Sequence, residues 1–223
     1  RARRIANAAQ RLSARFPEQR YRRLMSVFMP EEKADLYSPD LLNAMNTSRR
    51  LDPIEAAWMG SADLDPINRL MAVDIETYLP GDLLPKVDLT TMSVSLEARS
   101  PMLDHVLMEW AASIPGPLKM AGGDTKGLLK SAMEPWLPRD VIYRKKMGFG
   151  VPESLWLRSP LRTLVHDTLL ARDSRIGGYL NRDRLRYWVL RNEQWHDCGA
   201  RVWALLMLEL WHREAEPGAA IRI

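Results

Sequence analysis

Apolar positions along the chain recur mainly at three- and four-residue spacing, the period of a helix with one buried stripe. In residues 2–15, Ile5, Ala8, Ala9 and Leu12 fall at i, i+3, i+4 and i+7. Pro17 ends that run and starts a second helix with Tyr21, Leu24, Met25 and Phe28 on one face. Later helix starts repeat one device, a capping side chain followed by proline at the first helical position: Ser38-Pro39, Asp52-Pro53 and Asp65-Pro66. Pro30-Glu31-Glu32 opens a further short helix, with its acids in the first turn. After Asp65, residues Ile67, Leu70, Val73 and Leu79 share a face until Pro80-Gly81 turns the chain. Residues 82–96 contain β-branched side chains without strict alternation and read as a helix buried on most sides. Ser100-Pro101 closes that unit, because a residue before proline avoids the α region. Asp104 then caps a helix with Val106, Leu107, Trp110 and Ile114 inward.

Residues 115–124 form a Pro/Gly loop; Asp124 or Thr125 caps the next helix, which Pro138 closes, and 139–153 is irregular. Three amphipathic helices follow at about 153–171, 181–191 and 194–214, the last with Trp195, Val202, Leu206 and Leu210 in its buried stripe. The prediction is an all-α chain. No Gly/Ser-rich linker divides it, so it reads as a single helical unit: N-terminal helices over 1–69, a motif-bearing core over 70–152 and C-terminal helices over 153–223.

Composition narrows the picture. The 223 residues suffice for a sizeable core. Eight Trp and twelve Met against three Phe suit irregular gaps between helices. The net charge is only +4, but Arg1, Arg3, Arg4, Arg11, Arg15, Arg20, Arg22 and Arg23 crowd the start. That cluster is either a polyanion-binding patch or the solvated or partner-facing side of a helix; no aromatic interleaving or groove-reading motif accompanies it, which disfavours nucleic acid as a partner. The lone Cys198 excludes an internal disulfide and an all-cysteine metal site, and reads as a structural thiol. No apolar run reaches the roughly 18 residues that span a bilayer and no signal peptide is visible, so the expected location is the cytoplasm, with no membrane partner. The chain begins at an Arg inside a helical pattern, which reads as the cut end of something longer.

Most familiar chemistries lack support. The four histidines have no metal-ligand spacing, Gly-x-Ser-x-Gly is absent, and the GGDTKG segment at 122–127 lacks phosphate-loop spacing. Two stretches differ. Tyr78–Asp104 embeds Lys86, Asp88, Glu97, Arg99 and Asp104 in apolar sequence, where burial is costly unless the charges pair or meet a ligand. An ion-pair framework with Arg99 bridging Glu97, Asp88 or Asp104 satisfies that constraint. Tyr143–Pro152 runs three consecutive cations into a turn whose glycines flank Phe149. Such a turn admits a polyanion closely, and a lysine at its lip can follow charge on a leaving phosphate; a solvated basic loop is the alternative.

Taken in order, these segments resemble the C-terminal synthetase domain of the glutamine-hydrolysing asparagine synthetases. The resemblance rests on Tyr78-Leu79-Pro80, Leu83-Leu84, Lys86-Val87-Asp88 and Met92 to Asp104. It continues through Lys126-x-x-Leu129-Lys130, Leu137-Pro138, Arg144-x-Lys146-x-Gly148-Phe149-x-x-Pro152 and a Trp-rich last helix, covering roughly 70–214. It implies the helical C-terminal portion of an α/β, ATP-pyrophosphatase-type domain whose parallel sheet is largely absent from this chain. It further implies a ligase in which ATP, with Mg²⁺, adenylates a carboxylate such as aspartate and releases pyrophosphate. Ammonia supplied from glutamine by an N-terminal glutaminase domain then displaces AMP. Lys146 matches the family's essential phosphate-contacting lysine, Lys86 and Gly148 match substrate-side positions, and Asp88, Glu97, Arg99 and Asp104 match its charged framework. No metal ligand is implied in this chain.

Departures qualify the match. The family's Ser-Gly-Gly-x-Asp-Ser loop, its Ser-Gly-(Asp/Glu)-Gly-x-Asp-Glu segment and its N-terminal Cys are missing, and Leu83 stands where some typical members have Asp. Relatives sharing the domain include β-lactam synthetases and lasso-peptide cyclases, so the acceptor carboxylate is left open. So are the nitrogen donor, glutamine or free ammonia, and the oligomeric state, a homodimer included. The competing expectation is a helical interaction module without catalysis, and the expectation common to both is that the chain alone does not turn over.

Overall fold

The computed structural model describes residues 17–47, 52–120, 123–145, 150–195 and 198–215. As predicted, the chain is helical: among the described residues no strand forms, and extended pairing is limited to an antiparallel bridge between Tyr37 and Leu180. The helix expected over 2–15 lies outside the described residues. Contacts divide the chain into two compact units, residues 1–50 with 149–223 and residues 51–148.

The first unit holds α1 (Pro17–Met25), α2 (Pro30–Leu36), α3 (Pro39–Thr47), α11 (Glu153–Trp156), α12 (Arg162–Leu169), α13 (Arg182–Trp195) and α14 (Gly199–Ala215). Its core joins Leu36 to Leu157, Val165, Leu169, Ile176, Leu185 and Leu206. The span predicted as one helix over 153–171 is two, because Pro160 cannot continue the ladder between α11 and α12. The last helix starts at Gly199 rather than near 194. A Cβ on Gly199 would stand 2.2 Å from Ser154 Oγ and 2.9 Å from Ser154 N, so glycine permits the approach of α14 to α11. Of the predicted stripe, Val202 and Leu206 are buried and Leu210 packs partly buried against the core, as does Phe28 beyond the end of α1. On α1 itself only Tyr21 of the predicted face is buried, while Leu24 and Met25 are exposed. Cys198 is a buried free thiol.

Two polar devices lock this unit. Arg201 grips Glu32 with both ends of its guanidinium (2.8–3.2 Å) and lies 5.0 Å over the Trp188 ring, tying α14 to α2. Glu209 on α14 is fully buried. Its carboxylate accepts from the N–H groups of Arg175 (3.0 Å) and Ile176 (2.8 Å), from Ser174 Oγ (3.2 Å) and from Arg213 Nε (2.8 Å).

The second unit holds α4 (Pro53–Gly60), α5 (Pro66–Val73), a π-helix (Asp74–Leu83), α6 (Leu84–Met92), α7 (His105–Ser113), α8 (Gly116–Lys119), α9 (Gly127–Met133) and α10 (Arg139–Ile142). Asp52 and Asp65 cap α4 and α5 as the sequence predicts. Asp65 also accepts from the Gly116 N–H at 3.1 Å, fastening a short helix, α8, that the Pro/Gly composition had masked as loop. The chain does not turn at Pro80-Gly81; it runs on as π-helix into α6. Val73 is buried, but α6 and α7 are not enclosed within the unit: Leu89 is 69% exposed, Val94 73%, and Val106 and Trp110 stand on the surface. The predicted burial of both helices is therefore corrected; their apolar faces exist, and no described residue of this unit covers them.

Candidate functional site

Helix α6 ends in a left-handed cap. Ser95 has φ 59°, its N–H reaches Met92 O (3.0 Å), and the Leu96 N–H reaches Thr91 O (3.0 Å). These two bonds satisfy the last carbonyls of the helix, and the slot they create is one that glycine usually fills. The chain then runs without regular structure from Leu96 to Ser100, makes a 3₁₀ turn over Pro101–Leu103, and enters α7 with the Leu107 N–H donating to Asp104 Oδ1 (3.2 Å). The fold-back of this segment beside α6 opens a groove of ≈ 1260 Å³. Pro80, Leu84, Val87, Pro101 and Leu103 give it apolar walls, and Asp88, Arg99, Asp104 and His105 give it polar groups.

The charged residues singled out from sequence divide here. Asp88, Arg99 and Asp104 share the groove, whereas Lys86 and Glu97 are not among its lining residues. Lys86 Nζ donates to Asp82 Oδ2 at 2.9 Å, one turn back, and that hydrogen bond holds its ammonium above the ordinary lysine range. Arg99 pairs with Glu97 at 2.5 Å, the first of its three expected partners, yet both side chains are mostly exposed. The premise that these charges sit buried is thus corrected. Water screens the Glu97–Arg99 pair, so the pair adds little stability and leaves the guanidinium accessible. His105 enters as a groove residue that sequence reasoning missed. Its signal was its place directly after the capping Asp104.

A second cluster precedes the basic turn. Glu134 accepts from Arg139 Nη1 and from the Tyr143 hydroxyl, both at 2.7 Å. Arg139 and Lys130 lie over the Tyr143 ring at 4.9 and 5.3 Å, and Lys130 pairs with Asp124. The Glu134 contact, followed by burial, pushes the Tyr143 phenol up. Lys146 and Gly148 lie outside the described residues. Among the described residues, no group of three or more His, Cys, Asp or Glu side chains is placed to hold a metal ion. No helix among them is long and apolar enough to cross a membrane.

Comparison with known proteins gives the family of this helical chain. The model of the asparagine synthase family matches residues 1–213, and the chain belongs to that family. Glutamine-hydrolysing asparagine synthetase 1 of Bacillus subtilis is 35% identical over 166 residues, 72% of this chain and 25% of that protein. A putative glutamine-hydrolysing asparagine synthetase of Mycobacterium tuberculosis is 36% identical over the same shares. Amidase chry2 of Gibberella zeae is 26% identical over 46% of this chain and 16% of its own length. The chain therefore spans about a quarter of the length of the curated synthetases it matches. No solved structure matches it.

Proposed function

We propose that this chain is the helical C-terminal portion of an ATP-dependent amidotransferase. One observation carries the reading: the asparagine synthase match extends over 1–213 and so includes both the charged stretch and the basic turn. In the proposed reaction a substrate carboxylate oxygen, that of aspartate or a related acid, attacks the α-phosphorus of ATP. The bond to the β-phosphate oxygen breaks, and pyrophosphate leaves. Ammonia, released from glutamine by an N-terminal glutaminase domain, attacks the acyl-adenylate carbonyl and expels AMP, leaving the amide.

Lys146 is assigned to the phosphates. A cation ahead of a glycine turn can approach a leaving pyrophosphate closely and oppose its charge. Gly148 is assigned to substrate binding, and Lys86 to the acceptor carboxylate. Asp88, Glu97, Arg99 and Asp104 are assigned to the frame around them; the Asp104 cap and the Glu97–Arg99 pair support that assignment. Mg²⁺ accompanies the nucleotide in the proposed enzyme and neutralises phosphate charge. Among the described residues no group of three or more His, Cys, Asp or Glu side chains is placed to hold that ion. The apolar side chains left exposed on α6 and α7, among them Leu89 and Trp110, form the surface on which we place the remainder of the synthetase domain. The test is product analysis on the complete protein with ATP, Mg²⁺, glutamine and a panel of carboxylates. AMP, pyrophosphate and glutamate formed in step with an amide support the reading; ADP and inorganic phosphate would overturn it.

A further inference from the structure

The element least legible in the sequence is the π-helix Asp74–Leu83. Such helices are rare, are mostly single turns and concentrate at functional sites. Here ten residues are π-helical, without a break between α5 and α6. Pro80 and Pro85, five residues apart, account for the register. In an α-helix each ring would collide with the carbonyl four residues back and leave it without a donor. In the widened helix the Leu84 N–H reaches back past Pro80 to Leu79 O.

The π-helix also sets the rotation of α6. An α-helix turns about 100° per residue, and a π turn takes up an additional residue, so α6 is under-rotated relative to a wholly α-helical chain. In this rotation Val87, Asp88 and Leu89 line the groove while Lys86 is held by Asp82. Rewinding one π turn as α advances α6 by about one residue's turn, and Lys86 takes the place of Val87. The two proline rings and the packing of α4 against the stretch oppose that change, and little else does. No residue of the π stretch is buried, and the Lys86–Asp82 pair that spans the junction is solvent-exposed.

We propose that Asp74–Leu83 is a rotary switch whose π form parks Lys86 on Asp82 and whose α form turns Lys86 into the groove. The catalytic meaning of that movement rests on the function proposed above, but the movement itself is measured without it. The experiment places spin labels at Thr90 on α6 and Glu109 on α7 of the complete protein through genetically encoded ketone side chains. A side chain about 5 Å from the helix axis carried through about 100° travels roughly 8 Å. Pro80→Ala restores the missing donor and removes the ring clash, so its label-to-label distance is expected to shift by several ångströms. Deleting Gly81 in the same background removes one residue, allows α-helix without rotation, and should return the wild-type distance. An unshifted Pro80→Ala distribution overturns the proposal, as does a shift that the deletion fails to reverse. If Pro80→Ala does not fold, Asp82→Asn releases Lys86 from its partner: a second population at the shifted distance supports the switch, and a single wild-type distance overturns it.

Discussion

Glu209→Gln removes one charge from the interior of the first unit while keeping the size of the side chain. The native carboxylate is fully buried and accepts from two backbone N–H groups, one hydroxyl and Arg213. Four donors on two oxygens satisfy a carboxylate but not an amide, whose NH₂ would face a donor. Removing one member of a buried charged set typically costs about 3–5 kcal/mol; Arg213 is 34% exposed and keeps Asp173 at 4.0 Å as a second partner, so the loss should fall toward the low end of that range. Urea denaturation followed by tryptophan fluorescence reads the loss, since Trp188 and Trp203 both lie in this unit. Acid supplies a second reading. Burial pushes the Glu209 carboxyl up, but the Ile176 N–H, Arg213 and the Arg175 N–H outweigh it and hold the group below its ordinary value. Its contribution is therefore complete above the unfolded carboxyl pKa, about 4.3, and is lost as pH falls through the lower folded value. Glu209→Gln should lack that part of the acid limb. A variant within about 0.5 kcal/mol of the parent at neutral pH, the scale of an inert surface change, would refute the clamp.

Gly199→Ala should destabilise the first unit by about 1–3 kcal/mol in the same assay, since its Cβ would stand 2.9 Å from the Ser154 backbone nitrogen. Ser95→Gly should stabilise by roughly 1 kcal/mol, because φ 59° strains a residue with a Cβ; calorimetry reads the rise in Tm. Burial foremost, then the charge of Glu209, pushes Tyr179 up to about 12. Its phenol should stay neutral through pH 10 in ultraviolet titration, with its share of stability full below the unfolded tyrosine value and lost as pH rises toward 12. Tyr179→Phe should remove that late step along with the 2.7 Å contact to His212 Nε2.

Local signals were legible where the physics is local. Asp52 and Asp65 cap their helices because a side-chain oxygen two or three residues from free N–H groups needs nothing distant. Ser38 does the same for the Leu41 N–H at 3.2 Å. Pro80-Gly81 misled because the pair is a turn signal over four residues, whereas the π register depends on Pro85 as well. Helix α8 was hidden because its anchor, Asp65, is 51 residues away from Gly116. At the candidate site, periodicity on α6 and α7 identified apolar faces but could not say what covers them. Charge density between 86 and 104 located a groove, while the side on which each charge falls depends on the rotation of α6. Exposure decided the rest: ion pairs expected in the interior formed at the surface, where they position side chains more than they stabilise the fold.

If the basic turn acts on the phosphates of ATP during carboxylate activation, Lys146→Ala in the complete protein removes that action. The measurement is carboxylate-dependent pyrophosphate release alongside glutamine hydrolysis in the same sample. Loss of pyrophosphate release by about 10²-fold or more, the scale on which removing an electrostatic stabiliser acts, with glutamine hydrolysis intact, is the predicted result. Pyrophosphate release at the parent rate would contradict it.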